Sequence, residues 1–289
     1  MKISNSQIQT FQKCNKRFYF EHILKLKPKS YPEAMEKGLF GHEMMEAFFK
    51  RMMEGGSYEE CVEAISPLLT EKVMFTDKVS VYRHVLAFGA WVFSQPWRPV
   101  QVEESCLVPV DSELIDELEF AFTIDIIFEW TMGPKKGRKF ALDFKFTGQY
   151  WSERELAVAQ QLPKYMIYTN KMGVHKISNI GLVMLNTRAA AGASGTGLFQ
   201  LKWLQAPKIK LETIERENAR LMDAVAFAKI NWEPEDYLRT VDTFQCKMCI
   251  FADDLCPADL EGRETRRYIE RNYELNTYFD DNYEKDPVE

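Results

Sequence analysis

The chain has 289 residues, 46% of them apolar and 13% aromatic, enough to bury a substantial core as one large domain or two small ones, which sets disorder aside. A formal net charge of −6 argues against indiscriminate adhesion to nucleic acid or acidic membranes, while leaving room for a local basic groove. The opening "MKISNSQIQTF" is polar and amphipathic, and no apolar run approaches the roughly 20 residues of a membrane span, so a soluble, cytoplasmic protein is expected.

The first element, "SNSQIQTFQKCNKRFYFEHIL", opens with a capping box, Ser4 capping and Gln7 reaching back. Its apolar residues Ile8, Phe11 and Phe18 recur at helical spacing and put Cys14 on the inward face. A second helix is predicted over "KGLFGHEMMEAFFKRMMEGG", with Met45, Phe48, Phe49 and Met52 as its apolar stripe and Gly55-Gly56 as its stop. Gly38, His42 and Glu46 are spaced by four on one side of that helix, the glycine sparing the space of a side chain. Further helices are expected over 58–72 and 79–93.

From Cys106 the period changes to two, with strands expected over 103–110, 119–129, 139–146 and 177–185. A helix is predicted over 153–170 and, after the small-residue loop "TRAAAGASGTG", a strand over 198–204. Helix returns over 211–230, and the charged helix "GRETRRYIERNYEL" precedes an acidic tail expected to fray. Helices that precede a sheet and then cover it make an α/β or α+β protein. We expect a single domain: a helical part over 1–100, a sheet core over 101–205, a helical part over 206–275 and the tail over 276–289.

Within the sheet, "FALDFKFTG" places Phe140, Leu142, Phe144 and Phe146 on one face and Ala141, Asp143, Lys145 and Thr147 on the other. The preceding strand, "EFAFTIDIIFEW", turns Asp125 away from its aromatic face. If the connecting "TMGPKKGR" turns near Pro134, Asp125 falls opposite Asp143, with side chains about 5 Å apart. Two carboxylates that close repel, so such a site needs a cation between them or a raised pKa. Lys145 supplies one compensating charge; a divalent ion would supply more, and hard oxygen ligands favour magnesium or manganese. Taken alone, an Asp-x-Lys on a strand is a surface ion pair worth about 0–1 kcal/mol, and a histidine beside a core face is a satisfied buried histidine. Their combination from distant segments is what points to chemistry.

The combination resembles the RecB-like branch of the PD-(D/E)xK nuclease superfamily. The resemblance runs through Gly38-xxx-His42-xxx-Glu46, Asp125, Asp143-Phe144-Lys145 and Gln161-xxx-Tyr165 in "QQLPKYMIY", in the family's order and over most of the chain. The N-terminal segment is similar too, with Asn15 where the branch normally has a proline after the cysteine. Phe122 and Thr123 stand where a glycine often precedes the first aspartate. The resemblance implies a restriction-endonuclease-like mixed sheet flanked by helices. It implies a metal held by His42, Asp125, Asp143 and the backbone carbonyl of Phe144, with Lys145 activating water or stabilising the transition state. Gln161 and Tyr165 would position the substrate strand, and Glu46 would orient His42 or serve as a helix-surface acid. Phosphodiester cleavage needs these parts: an activated water, a Lewis acid on a phosphate oxygen and a cation near the developing charge.

Of six cysteines, Cys61 and Cys106 stand alone and read as small buried hydrophobes, while Cys246, Cys249 and Cys256 cluster in "FQCKMCIFADDLCP". Reduced thiols or metal ligands are expected rather than disulfides. With Cys14 they offer four thiolates, which suit a [4Fe-4S] cluster or tetrahedral zinc equally on ligand chemistry. The resemblance, to AddB-type and CRISPR-adaptation nucleases, favours iron and would clip the two chain ends together. Candidate DNA contacts are Lys25, Lys27 and Lys29; the hairpin group Lys135, Lys136, Arg138 and Lys139; Arg263, Arg266, Arg267 and Arg271; and the aromatic pair Tyr150 and Trp151. The implied activity is that of a metal-dependent DNA exonuclease acting on single strands or ends, with a helicase or recombination protein as partner and no membrane. The alternative is a catalytically silent, DNA-binding subunit of a recombination or repair complex with a structural cluster.

Overall fold

The computed structural model describes residues 1–70, 78–112, 114–188, 197–204, 206–240 and 242–276. In chain order the first half contains β1 (Lys2–Ser4), α1 (Asn5–Lys13), α2 (Asn15–Phe18), a π-helical turn (Tyr19–Ile23), β2 (Leu26–Pro28), α3 (Glu33–Met53), α4 (Tyr58–Ile65) and α5 (Lys78–Phe93). The sheet follows: β3 (Trp97–Pro109), β4 (Glu119–Trp130), β5 (Lys139–Thr147), α6 (Glu153–Val158), α7 (Gln161–Met172), β6 (Ile177–Asn186) and β7 (Phe199–Trp203). The chain continues through α8 (Lys208–Asn231), α9 (Thr243–Lys247), α10 (Leu255–Leu260), α11 (Arg266–Asn272) and β8 (Tyr273–Leu275). This is the α/β architecture expected, a mixed sheet with flanking helices, and among the described residues no helix is long and apolar enough to cross a membrane.

By internal contact the chain divides into two compact units. One comprises Pro32–Cys106 and Thr123–Glu215. In it β4 runs antiparallel to β5, β5 parallel to β6, and β6 antiparallel to β7. The β4–β5 ladder pairs Ile126 with Leu142 through Glu129 with Lys139, the register a turn near Pro134 dictates. Gly133 and Gly137, both with positive φ (+76° and +79°), make the tight connection. The alternation read in β5 holds, for Phe140, Leu142 and Phe144 join Phe48, Phe49 and Phe88 in one core. Phe49 stacks on Phe144 with ring centroids 6.0 Å apart, and cutting such a ring to alanine costs about 3–5 kcal/mol.

The other unit comprises Met1–Tyr31, Leu107–Phe122 and the chain from Arg216 on. Here β1 lies parallel to the first residues of β4, and β2 pairs antiparallel with β8 around a small core of Phe20, Leu26, Phe251, Leu255 and Tyr273. These three strands have three residues each, too few for a periodic signal.

The capping box of Ser4 and Gln7 starts α1 as expected, but the predicted helix does not run through Cys14. Cys14 is extended (φ −164°), and its sulfur accepts the Arg17 N–H at 3.4 Å, so it caps α2 much as a serine would. Asn15 therefore occupies the first helical position, where proline is at home. The helix expected over 153–170 also breaks, between α6 and α7. Pro163 explains the gap, since proline donates no hydrogen bond and its ring clashes with the carbonyl four residues back. Residues 71–72 of the expected helix over 58–72, most of the small-residue loop and the tail from 277 lie outside the described residues.

Candidate active site and cysteine cavity

The ladder between β4 and β5 ends at the Ile126–Leu142 pair, and Asp125 comes next. Instead of pairing backbone to backbone, the Asp125 carboxylate accepts the Phe144 N–H at 2.6 Å through Oδ2. Asp143, on the same strand, is only 4% exposed. Its Oδ2 lies 2.9 Å from Lys145 Nζ and, among the described residues, is met by no other donor. Burial and then the charge of Asp143 hold the Asp125 carboxyl above the usual carboxylate range, against the opposing pull of His42, Lys145 and the Phe144 N–H. For Lys145 burial works against the charge, yet Asp143 and Asp125 outweigh it and its pKa stands above the ordinary lysine value.

His42 reaches this group from α3, its Nδ1 3.7 Å from Asp125 Oδ2. Its ring lies edge-on to Phe144 and Phe146, with centroids 6.4 and 5.9 Å away. The glycine that makes this approach possible is Gly41, where an added Cβ would sit 2.2 Å from the Phe146 ring. Gly38, expected to spare the site from crowding, has nothing within 4 Å of such an atom. Glu46, expected beside His42, is paired along the helix with Lys50. One turn of α7 carries the other expected pair, with Gln161 Nε2 donating to the hydroxyl of the buried Tyr165 at 2.7 Å.

A residue that spacing did not single out also faces His42. Glu103 Oε1 lies 4.0 Å from His42 Nδ1, and the donor atoms of His42, Glu103 and Asp125 all come within 4.8 Å of one another. Glu103 sits in β3 with φ +48°, a left-handed conformation that costs a non-glycine residue on the order of 1–3 kcal/mol. Burial, then the charges of Asp125 and Glu46, push its carboxyl up to about 8, with Lys50 opposing them. In β3 the buried positions change parity, Trp97 and Pro99 being odd and Val102, Cys106 and Val108 even, so a strict alternation does not run through the strand.

The basic hairpin does not sit by these groups. Lys139 and Asp143 are separated by four residues of β5, about 13 Å at 3.3 Å per residue, so the hairpin tip is at the far end of the strand. There Lys135 rests over the Trp130 ring at 5.0 Å, and Lys139 Nζ lies 2.9 Å from His175 Nδ1. Most other basic candidates are engaged locally: Lys27 with Glu274, Arg263 with Glu261, Arg266 with Glu270 and Arg267 with Glu264.

In the other unit, Cys14, Cys246, Cys249 and Cys256 line one cavity of about 300 Å³, together with Lys13, Arg17 and Arg239. Both chain ends thus contribute, as expected. Cys14 Sγ accepts the backbone N–H groups of Arg17 and Thr240, each at 3.4 Å. Burial raises the pKa of Cys249 and Cys256, countered by the Phe251 N–H at the first and the Arg239 side chain at the second. Among the described residues, no three cysteine sulfurs come within 4.8 Å of one another as the His42 group does. Cys61 and Cys106 are buried, as expected, and burial pushes their thiols up to about 11 and about 12.

A comparison with curated proteins returns no match. A comparison with protein families matches residues 2–257 to the PD-(D/E)XK nuclease superfamily, a span that takes in both acidic strands, α3 and the cysteines up to Cys256. The mixed sheet with its flanking helices is consistent with that superfamily's restriction-endonuclease-like fold, and its nucleases use divalent metal ions, which the nitrogen and oxygen donors of the His42 group suit. With most of its length matched, the chain belongs to the PD-(D/E)XK nuclease superfamily.

Proposed function

We propose that the protein is a RecB-like, metal-dependent deoxyribonuclease, an exonuclease that hydrolyses phosphodiester bonds in single strands or at DNA ends. The observation that carries this reading is the buried Asp143 paired with the half-buried Lys145, 2.9 Å apart, beside an Asp125 carboxylate 3.7 Å from His42. His42, Asp125 and Asp143 are the side chains that would hold the ion. The Phe144 carbonyl is a fourth candidate, because a residue's N–H and C=O leave an extended strand on the same side and the N–H already meets Asp125. Bound there, magnesium or manganese supplies a Lewis acid and lowers the pKa of a water.

The side chains do the rest. Lys145, charged and anchored by Asp143, places a cation where negative charge develops on the phosphate. Asp125 holds the backbone of β5 through Phe144 and so fixes Asp143 and Lys145 relative to His42. Gln161 and Tyr165, tied to each other, present an amide and a phenol that position the substrate strand. The cysteine cavity would hold a [4Fe-4S] cluster, a reading supported by the four cysteines lining one cavity and by N–H donors on Cys14 and Cys249. A helicase or recombination protein is the partner that goes with this branch of the superfamily.

The test is degradation of end-labelled single- and double-stranded DNA with magnesium or manganese, by wild type and by Asp143→Ala and Lys145→Ala. We expect both variants to fall by at least 10²–10³-fold, the scale of losing a charge-stabilising group. Equal, negligible activity in all three would instead make the protein a silent DNA-binding subunit. Anaerobic purification addresses the cluster, since a brown protein supports iron and a colourless, zinc-loaded one removes it.

A further inference from the structure

Glu103 belongs to none of the motif residues, and its placement is costly. Its backbone is left-handed (φ +48°), its carboxylate accepts no hydrogen bond among the described residues, and the negative charges of Asp125, Glu46 and Asp143 that act on it outnumber the one opposing ammonium, Lys50. Its one close partner is His42, at 4.0 Å. On β5, the buried Asp143 Oδ2 has Lys145 as its one close cation among the described residues.

We propose that Glu103 is itself a ligand of the divalent ion, closing the coordination shell together with His42 and Asp125; this rests on the hydrolase reading of the same site. An octahedral ion with bonds of about 2.1 Å sets its ligand atoms about 3–4.2 Å apart. The donor atoms of His42, Glu103 and Asp125 already lie within 4.8 Å of one another, so a small closure brings all three onto one ion. Glu103 faces His42 from a left-handed position in β3 while Val102 beside it stays in the core. The ion then takes three ligands from outside the Asp-x-Lys strand, and Asp143, which anchors Lys145, adds a fourth from within it.

The experiment titrates manganese by calorimetry into the metal-free full chain, for wild type, Glu103→Gln and Glu103→Gly, and follows thermal unfolding with and without the ion. Glu103→Gln should bind manganese at least about tenfold more weakly, since even groups that only orient a metal ligand cost 10–100-fold. Glu103→Gly should also bind weakly, yet melt about 2 °C or more higher when metal-free, being relieved of strain and like-charge repulsion. Manganese affinity within about twofold of wild type in Glu103→Gln overturns the proposal, as does a lower metal-free Tm in Glu103→Gly, which would assign the residue to the fold. If wild type takes up no manganese at all, the hydrolase reading falls with it; a loss confined to the Glu103 comparison leaves that reading standing.

Discussion

Two regions of this molecule gather reactive side chains and treat them in opposite ways. Around Asp125 and Asp143 the negative groups outnumber their donors, with Glu103 in a costly backbone conformation and Asp143 Oδ2 met by a single ammonium. Around the cysteine cavity the sulfurs are supplied, Cys14 by two backbone N–H groups, Cys249 by a third and Cys256 by Arg239. The difference follows from what each region would hold. A small hard cation brings the missing positive charge itself, so oxygen ligands can wait unpaired. A cluster on thiolates needs hydrogen-bond donors to disperse the negative charge on sulfur.

The comparison breaks most visibly at Cys249. Serine there keeps the size but loses the soft ligand, so iron content and visible absorption should drop sharply. Thermal stability should fall by several degrees, because the free energy of binding a metal group is also free energy of folding. Unchanged absorption and Tm would mean that the donors around these sulfurs serve packing alone.

Acid should separate the regions by sign. His22, in the cysteine-bearing unit, has its pKa lowered to about 4, chiefly by burial. Between pH 4 and the ordinary value near 6.5 the unfolded chain binds the extra proton, so His22 costs up to about 3 kcal/mol as the pH falls through that window. Glu103 goes the other way: with its carboxyl raised to about 8, the folded, metal-free protein binds the extra proton between about 4.5 and 8 and loses stability as the pH rises. Hydrogen exchange of metal-free protein at pH 5 and pH 8, corrected for intrinsic rates, should show residues 15–24 better protected at pH 8. Residues 97–109 and 119–130 should be better protected at pH 5, and manganese at pH 8 should reverse that loss. A common sign in both sets would dissolve the distinction.

Much of the acidic region was legible because strand period and turn position are local properties. Pro134 and the alternation of β4 and β5 were enough to bring Asp125 to the end of a ladder whose last pair precedes Asp143. Glu103 was not legible in the same way, since the buried positions of β3 do not keep one alternation and the left-handed backbone at Glu103 leaves no mark in residue type. In the other region the four cysteines stood out by chemistry. The break at Cys14 did not, because its cap is a thiol and capping rules are written for oxygen. Short strands such as β2 and β8 are held by tertiary pairing, which no three-residue window records.

The smallest expected effect concerns the two glycines of α3, and it asks whether substrate passes beside the acidic region. Gly41→Ala drives a methyl into the Phe146 ring, 2.2 Å away, and should cost about 1–3 kcal/mol by overpacking. Gly38→Ala meets nothing within 4 Å, and in a helix interior it should gain up to about 1 kcal/mol, raising Tm by about 2–4 °C. Both residues are within one turn of His42, so their contrast separates space needed for the fold from space needed for substrate. If DNA passes beside the start of α3, Gly38→Ala should raise KM several-fold in a more stable protein, with kcat little changed. An unaltered KM in a stabilised Gly38→Ala protein would route the substrate elsewhere, leaving Gly38 as a helix position that merely tolerates glycine.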